Sequence, residues 1–351
     1  ETGSLGNQQV GYYDYIQTIN TNGTMNYIFG DQKKGSYASV SDPNSADLTW
    51  ETVSTWNVGL DLGFLNNRLN LTADAYVRDT KGMQTSGKKL PGAYGANEPK
   101  QNGANLRTKG WELMLTWNDA FKLANKPFRY NLSVGLADNT SEITKFDNPS
   151  KILSDYYVGQ KLGDIWGYVV DGLFRTDEEA ANYNVDQTAV NFVINTAQVN
   201  PGLHAGDMKF VDLDGDHTIS SGSNTADDPG DRKIIGNSLP RYTYSIQGGF
   251  DWYGFDFSIY LQGVGHQDWY PGTNSVFFWG PYARPYSSFI PRDFLSQVWS
   301  PENPDAYFPR PRGYVALDVN PRELSKPNTR YLQNVAYCRL KNVTVGYSLP
   351  R

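Results

Sequence analysis

Asp212-Leu213-Asp214-Gly215-Asp216-His217-Thr218-Ile219 places three carboxylates on alternate residues around a glycine. A tight turn brings acids at this spacing onto one centre, and a hard cation such as Ca2+ offsets the crowding of three anions. Asp212, Asp214 and Asp216 fill the first, third and fifth places of a calcium loop. Thr218 offers a backbone carbonyl at the seventh, and Ile219 is the apolar eighth. Two positions depart from the pattern. His217 stands where glycine is usual and is expected to resist a positive φ, and Ser223 stands where a bidentate acid closes the loop. The bland alternative is a solvated acidic turn with no ion. Nothing else in the chain asks for a cofactor.

A second group with chemical character is aromatic: Trp269-Tyr270-Pro271, Phe277-Phe278-Trp279, Tyr282, Tyr286, Phe289 and Trp299. Flat rings stack on sugars, grip apolar peptide side chains and anchor protein interfaces, so Trp269, Tyr270, Phe278, Trp279 and Tyr282 are candidate ligand or partner contacts. The competing and favoured expectation is that the rings pack the interior of their own long loop. Catalytic chemistry finds no constellation. His204, His217 and His266 are few and scattered, and Cys338 stands alone, so no histidine-based zinc site, thiol dyad or internal disulfide is expected. The chain does not read as an enzyme.

These residues sit on long connections between segments that alternate apolar and polar. Leu69, Leu71, Ala73, Ala75 and Val77 face away from Arg68, Asn70, Thr72, Asp74, Tyr76 and Arg78. Trp111, Leu113, Leu115 and Trp117 oppose Glu112, Met114, Thr116 and Asn118, and Phe128, Tyr130, Leu132, Val134 and Leu136 oppose Arg129, Asn131, Ser133, Gly135 and Ala137. Strands are expected near 48–62, 68–80, 108–118, 127–140, 240–252, 254–265 and 335–349. Three hairpins join them tightly, at Asn66-Asn67-Arg68, at Asp119–Pro127 and at Tyr253-Gly254. Between hairpins lie loops over 81–107, 141–239 and 266–334. Compact soluble domains use connections of about 4–6 residues. Strict alternation of short turns with long loops belongs to a transmembrane antiparallel β-barrel, with short periplasmic turns and long extracellular loops. The expected fold class is therefore all-β, an integral multi-pass outer-membrane barrel wall contacting lipid.

Composition agrees. The 351 residues are only 39% hydrophobic, which suits a wall whose lipid face uses every second residue. Aromatics reach 14%, with Trp50, Trp117, Trp252 and Tyr347 near strand ends, where interfacial girdles form. A net charge of −6 with scattered cations gives no nucleic-acid footprint. Lumen-facing Glu51, Asp61, Arg68, Asp74, Arg78, Glu112, Arg129 and Asp251 are expected to form a lattice of ion pairs. No signal peptide opens the chain at Glu1, and it stops after a strand at Arg351. The expectation is an interior piece of a longer polypeptide whose other strands complete the barrel. The alternative is a secreted all-β glycan-binding or glycan-processing protein, in which the apolar rows would lie inside a soluble core.

Ordered phrases along the chain resemble the C-terminal half of a SusC-type (SusC/RagA family) TonB-dependent outer-membrane transporter. They run from Leu48-Thr-Trp-Glu-Thr52, Trp56-Asn-Val-Gly-Leu-Asp61 and Phe64-Leu-Asn-Asn-Arg-Leu69 through Lys109-Gly-Trp-Glu112, Val158-Gly-Gln-Lys-Leu-Gly163 and Asp171-Gly-Leu-Phe174. They end at Arg339-Leu-Lys-Asn342 and Gly346-Tyr-Ser-Leu-Pro350. The resemblance implies a 22-stranded barrel holding a plug domain preceded by a TonB box, neither of which lies in this chain. It implies import of oligosaccharides or oligopeptides, driven through TonB, beside a SusD-type surface lipoprotein, in a dimer of that two-protein complex. It also points to Asp231, which precedes Arg232 and Ile235-Gly236, as the residue closing the acidic loop.

Overall fold

The computed structural model describes residues 2–5, 16–29, 33–43, 48–87, 90–190, 202–273, 275–282, 290–311 and 323–349. Its strands in chain order are β1 (Thr2–Leu5), β2 (Ile19–Phe29), β3 (Lys33–Val40), β4 (Glu51–Phe64), β5 (Leu69–Ser86), β6 (Lys100–Leu123), β7 (Lys126–Lys145) and β8 (Asp164–Tyr168). Then follow β9 (Val170–Leu173), β10 (Met208–Phe210), β11 (Arg232–Asn237), β12 (Arg241–Trp252), β13 (Phe255–His266), β14 (Asp268–Trp269), β15 (Gln333–Asn334) and β16 (Tyr337–Tyr347). Eight of them form one sheet in the order β1-β4-β5-β6-β7-β12-β13-β16, antiparallel throughout. Among the described residues this sheet keeps two edges and does not close on itself.

Register carries the alternation across the wall. Leu62 pairs Leu71, which pairs Leu115; Leu113 pairs Leu136; Val134 pairs Ile246, which pairs Leu261. One face of the sheet is thus a continuous apolar band. Among the described residues nothing buries it: Trp56 is 82% exposed, Val345 72%, and Leu113 and Leu115 about two-fifths. A soluble sandwich would have sealed that row under a second layer. From Leu69 to Val77 the band runs about 26 Å along the strand, or about 20 Å of thickness at a ~40° tilt, close to the ~25 Å apolar belt of outer-membrane barrels. Rings bound it at both ends. At the hairpin end Phe121, Phe128, Phe250 and Phe257 stack from strand to strand with centroids 5.0, 5.3 and 5.4 Å apart. Trp56, Trp111 and Tyr244 mark the other end.

The hairpin turns have the backbone their residues favour. Leu65, Asn66 and Asn67 are left-handed, as are Ala124-Asn125 and Tyr253-Gly254. Paired positive φ values suit the right-handed twist of two-residue hairpins. The second turn corrects the expected connection over Asp119–Pro127. β6 runs on to Leu123 and β7 starts at Lys126, because Phe121 and Leu123 continue the outward row. The expected loop over 81–107 is also shortened, since β5 and β6 stay paired from Thr85↔Gln101 to Ser86↔Lys100 beyond the apolar band. β1 and the β2–β3 hairpin extend the strand inventory beyond the expected set.

Close packing within the wall explains some of its glycines. Tyr244 lays its ring over Gly263 on the adjacent strand and donates its hydroxyl to the Tyr337 carbonyl oxygen at 3.2 Å. A Cβ at 263 would strike that ring. Gly263→Ala is expected to cost about 1–3 kcal/mol. The measurement is the temperature at which the folded, SDS-resistant band converts to the unfolded one.

Candidate functional site

The acidic turn lies on a shared extramembrane unit, which we call the dome. The described residues within 146–239 and 267–334 fold into it around one core containing Tyr168, Phe210, Ile219, Trp279, Phe308 and Tyr331. The two long loops are stitched by backbone bonds, Tyr168 N to Pro327 O at 2.9 Å and Arg310 N to Gly206 O at 2.9 Å. Buried Asp207 takes the Arg310 guanidinium at 2.7 Å. Among the described residues the main apolar core therefore lies above the membrane, and no wall strand contributes to it.

Asp212, Asp214 and Asp216 do converge, each offering a carboxylate oxygen within 4.8 Å of the others. Backbone amides shape the turn. Asp212 accepts from Gly215 N (2.7 Å) and His217 N (2.9 Å), Asp214 from Asp216 N (3.2 Å), and Asp216 from Thr218 N (2.7 Å). His217 does adopt a positive φ, +65°, beside Gly215 at +82°. The expected resistance at His217 is thus overcome, with its amide held on Asp212. Asp231 is fully buried, and its carboxylate accepts from Leu213 N and Ser220 N at 2.7 Å each. It staples both ends of the turn and stands outside the three-acid group. Thr218 bridges to Asp186, anchoring the turn to the dome.

The charges feel one another. For Asp214 the Asp216 amide pulls the carboxyl down, but partial desolvation and the fields of Asp231, Asp216 and Asp212 raise it above its ordinary value. For Asp212 desolvation pushes upward, but the His217 and Gly215 amides prevail and lower it. The donor set, hard oxygens on a preformed turn, fits Ca2+.

The aromatic candidates divide. Trp279 is fully buried, its indole N–H directed at the Pro271 and Gly272 carbonyls, with Phe278 and Tyr331 edge-on at 4.8 and 5.2 Å. Tyr282 is buried and donates to the Pro309 carbonyl. Tyr270 donates to Leu324 O at 2.8 Å and receives Asn328 Nδ2 at 2.8 Å. Burial raises all three phenols, Tyr270, Tyr282 and Tyr331, well above their ordinary value, so they act as neutral core groups. Phe278 packs against this core. Trp269 keeps 42% exposure, and Phe277, part of the aromatic run but not one of the five candidate contacts, keeps 86%. Nothing in the run Phe277-Phe278-Trp279 distinguishes the ring that turns outward. Tyr286 and Phe289 lie outside the described residues.

The lattice expected on the lumen face is one against a plug domain, which this chain does not test; within the chain Arg68 and Arg129 are paired. Arg68 meets Asp119, which is half-buried, at 3.5 Å, and Arg129 meets Asp251 at 3.6 Å with both side chains exposed, near the hairpin end. Asp61 is met by the Thr72 hydroxyl at 2.6 Å and Asp74 by the Asn57 amide at 3.4 Å. Hydroxyls and amides, more than cations, dress these acids.

Comparison with known proteins agrees with this architecture. No family model matches the chain. It is 26% identical over 98% of its length to the TonB-dependent receptor P39 of Formosa agariphila. It is 27% identical over 99% of its length to the TonB-dependent receptor SusC of Bacteroides thetaiotaomicron. It covers 33% and 31% of those proteins, so the chain spans about a third of the curated relatives it matches. In fold it superposes on the RagAB peptide importer in the open-open state with a TM-score of 0.66, at 20% identity, covering 99% of this chain and 33% of that one. Over nearly its whole length the chain resembles one stretch of the SusC-type TonB-dependent receptors, and like them it is part of an outer-membrane β-barrel protein.

Proposed function

We propose that the protein containing this chain imports oligosaccharides or oligopeptides across the outer membrane, driven by TonB and acting with a SusD-type surface lipoprotein. The observation that carries the reading is a wall with one apolar, ring-bordered face and one polar face, crowned by a dome folded from two long loops. A secreted glycan-binding protein has no use for an unburied apolar band of membrane height. The relatives are named as receptors and the fold neighbour as a peptide importer, which favours transport over catalysis. The test is uptake of labelled oligopeptides and oligosaccharides by cells with and without the intact gene, and with TonB inactivated. Uptake of one class should require both. Equal uptake in all strains would contradict the reading.

Calcium binding at Asp212, Asp214 and Asp216 is a second, separate proposal, favoured by the raised Asp214 carboxyl. The pH sign follows from linkage. A carboxyl raised on folding stabilises below its own pKa and loses that contribution as pH rises through it, so repulsion in the turn is greatest near neutrality. Calcium should therefore raise the dome's melting midpoint more at pH 7 than at pH 4.5, and Asp214→Asn should abolish the gain. Intrinsic fluorescence melts of the full-length protein with calcium or chelator read it. An identical calcium response in wild type and variant would remove the site.

A further inference from the structure

Where β7 and β12 part to admit the β8–β11 ladder, a cavity of about 380 Å³ opens between the rim of the wall and the dome. We propose that it is a subsite for the free amino end of a peptide, its first side chain apolar. This rests on the import reading and narrows its substrate class. At the rim the cavity is lined by three consecutive residues of β7, Asn139, Thr140 and Ser141, and by His266 at the end of β13.

Its walls are held rigidly. Asn237 donates from Nδ2 to the Leu162 carbonyl at 2.9 Å and to Asp164 Oδ1 at 3.0 Å, and from its backbone N–H to Asp268 Oδ2 at 2.9 Å. His266 Nε2 lies 3.0 Å from the same Asp268 oxygen. Gly236 is the notch that seats Asp268, since a Cβ there would lie 2.5 Å from Oδ2.

The charge balance selects the ligand. Arg241 is already held by Asp138, Nε to Oδ1 at 2.6 Å and Nη2 to Oδ2 at 2.5 Å, so it brings no net cation. Asp164, Asp268 and Lys161 remain, two carboxylates against one ammonium. An ammonium group answers that excess, with Asp164 and the Asn139 and Ser141 oxygens as acceptors. Lys161 can then meet the first peptide carbonyls. Ile234 and Leu239, 47% and 41% exposed, offer an apolar surface to the first side chain. Among the described residues the lining holds no Trp, Tyr or Phe, the flat faces on which a sugar ring stacks. The cavity thus favours peptide over glycan.

The experiment is native mass spectrometry of the detergent-solubilised full-length transporter. The probes are free tripeptides beginning with Ala, Val or Leu, the same tripeptides N-acetylated, and maltotriose. The free peptides should be retained, and acetylation should weaken retention about tenfold, as expected for removing one charged hydrogen-bonded group. Asp164→Asn should erase the preference while the protein keeps its SDS-resistant fold. If that variant fails to fold, Leu239→Trp, which fills the cavity from its exposed side, must abolish retention of the free peptides. Equal retention of free and acetylated peptides, an undiminished preference in Asp164→Asn, or stronger retention of maltotriose would overturn the subsite. TonB-dependent uptake accompanying any of these results would leave the import reading standing, whereas loss of TonB-dependent uptake of both substrate classes would remove that reading itself.

Discussion

Arginine in place of Leu113 should destabilise the wall by about 2–4 kcal/mol, the cost of a cation at mid-depth on a lipid-facing barrel surface. Leu113 sits near the middle of the apolar band, paired with Ala73 and Leu136 and about two-fifths exposed. The adjacent Met114 is just as exposed, but by alternation it faces the lumen, beside Thr72 and Gly135. Met114→Arg places the same charge one residue away in a wet environment and should cost little. The contrast is the informative quantity, because in water both exposed positions would accept arginine alike. Urea titration of the protein folded in lipid vesicles, followed by tryptophan emission, gives both values.

Trp279→Ala should cost the dome about 3–5 kcal/mol, the range for emptying a fully buried large aromatic site. Its ring is enclosed by Tyr270, Phe278, Phe308 and Tyr331, contributed by both sides of the long loop after β13. Its N–H also donates to the Pro271 and Gly272 carbonyls. The wall shares none of this core. The loss should therefore be local, with rapid protease cleavage within 146–239 and 267–334 while the SDS-resistant barrel band persists. Exposed Phe277→Ala, two residues away, should leave cleavage unchanged.

Much of the wall was legible in the sequence because each strand carries its own signal. A row such as Leu69, Leu71, Ala73, Ala75, Val77 reports orientation without reference to any partner. The signal fades where both faces become polar. Thr85, Ser86, Lys100 and Gln101 are paired in the structure, yet nothing in their types separates a strand above the membrane from a loop. The turn at Ala124-Asn125 was hidden because Phe121 and Leu123 extend the strand pattern past the Asp119 at which a turn was expected. The dome was the least legible. Tyr168 and Phe210 join Trp279 and Phe308 in one core across 69 to 140 residues of chain, and no periodicity announces such a core. Within the acidic turn the spacing of Asp212, Asp214 and Asp216 foretold their convergence, but Asp231's role could only emerge from the amides it accepts. The cavity at Asp164 and Asp268 has no motif, since its groups are assembled from six separate strands and their approaches.

Site-directed spin labelling tests the two-faced wall most directly. Nitroxides placed singly at residues 111 to 117 of the protein in lipid bilayers should alternate, the odd positions colliding with dissolved oxygen and the even ones with a water-soluble nickel chelate. The same odd positions shielded from both reagents would mean that protein, and not hydrocarbon, covers Leu113 and Leu115, and the membrane wall would be wrong.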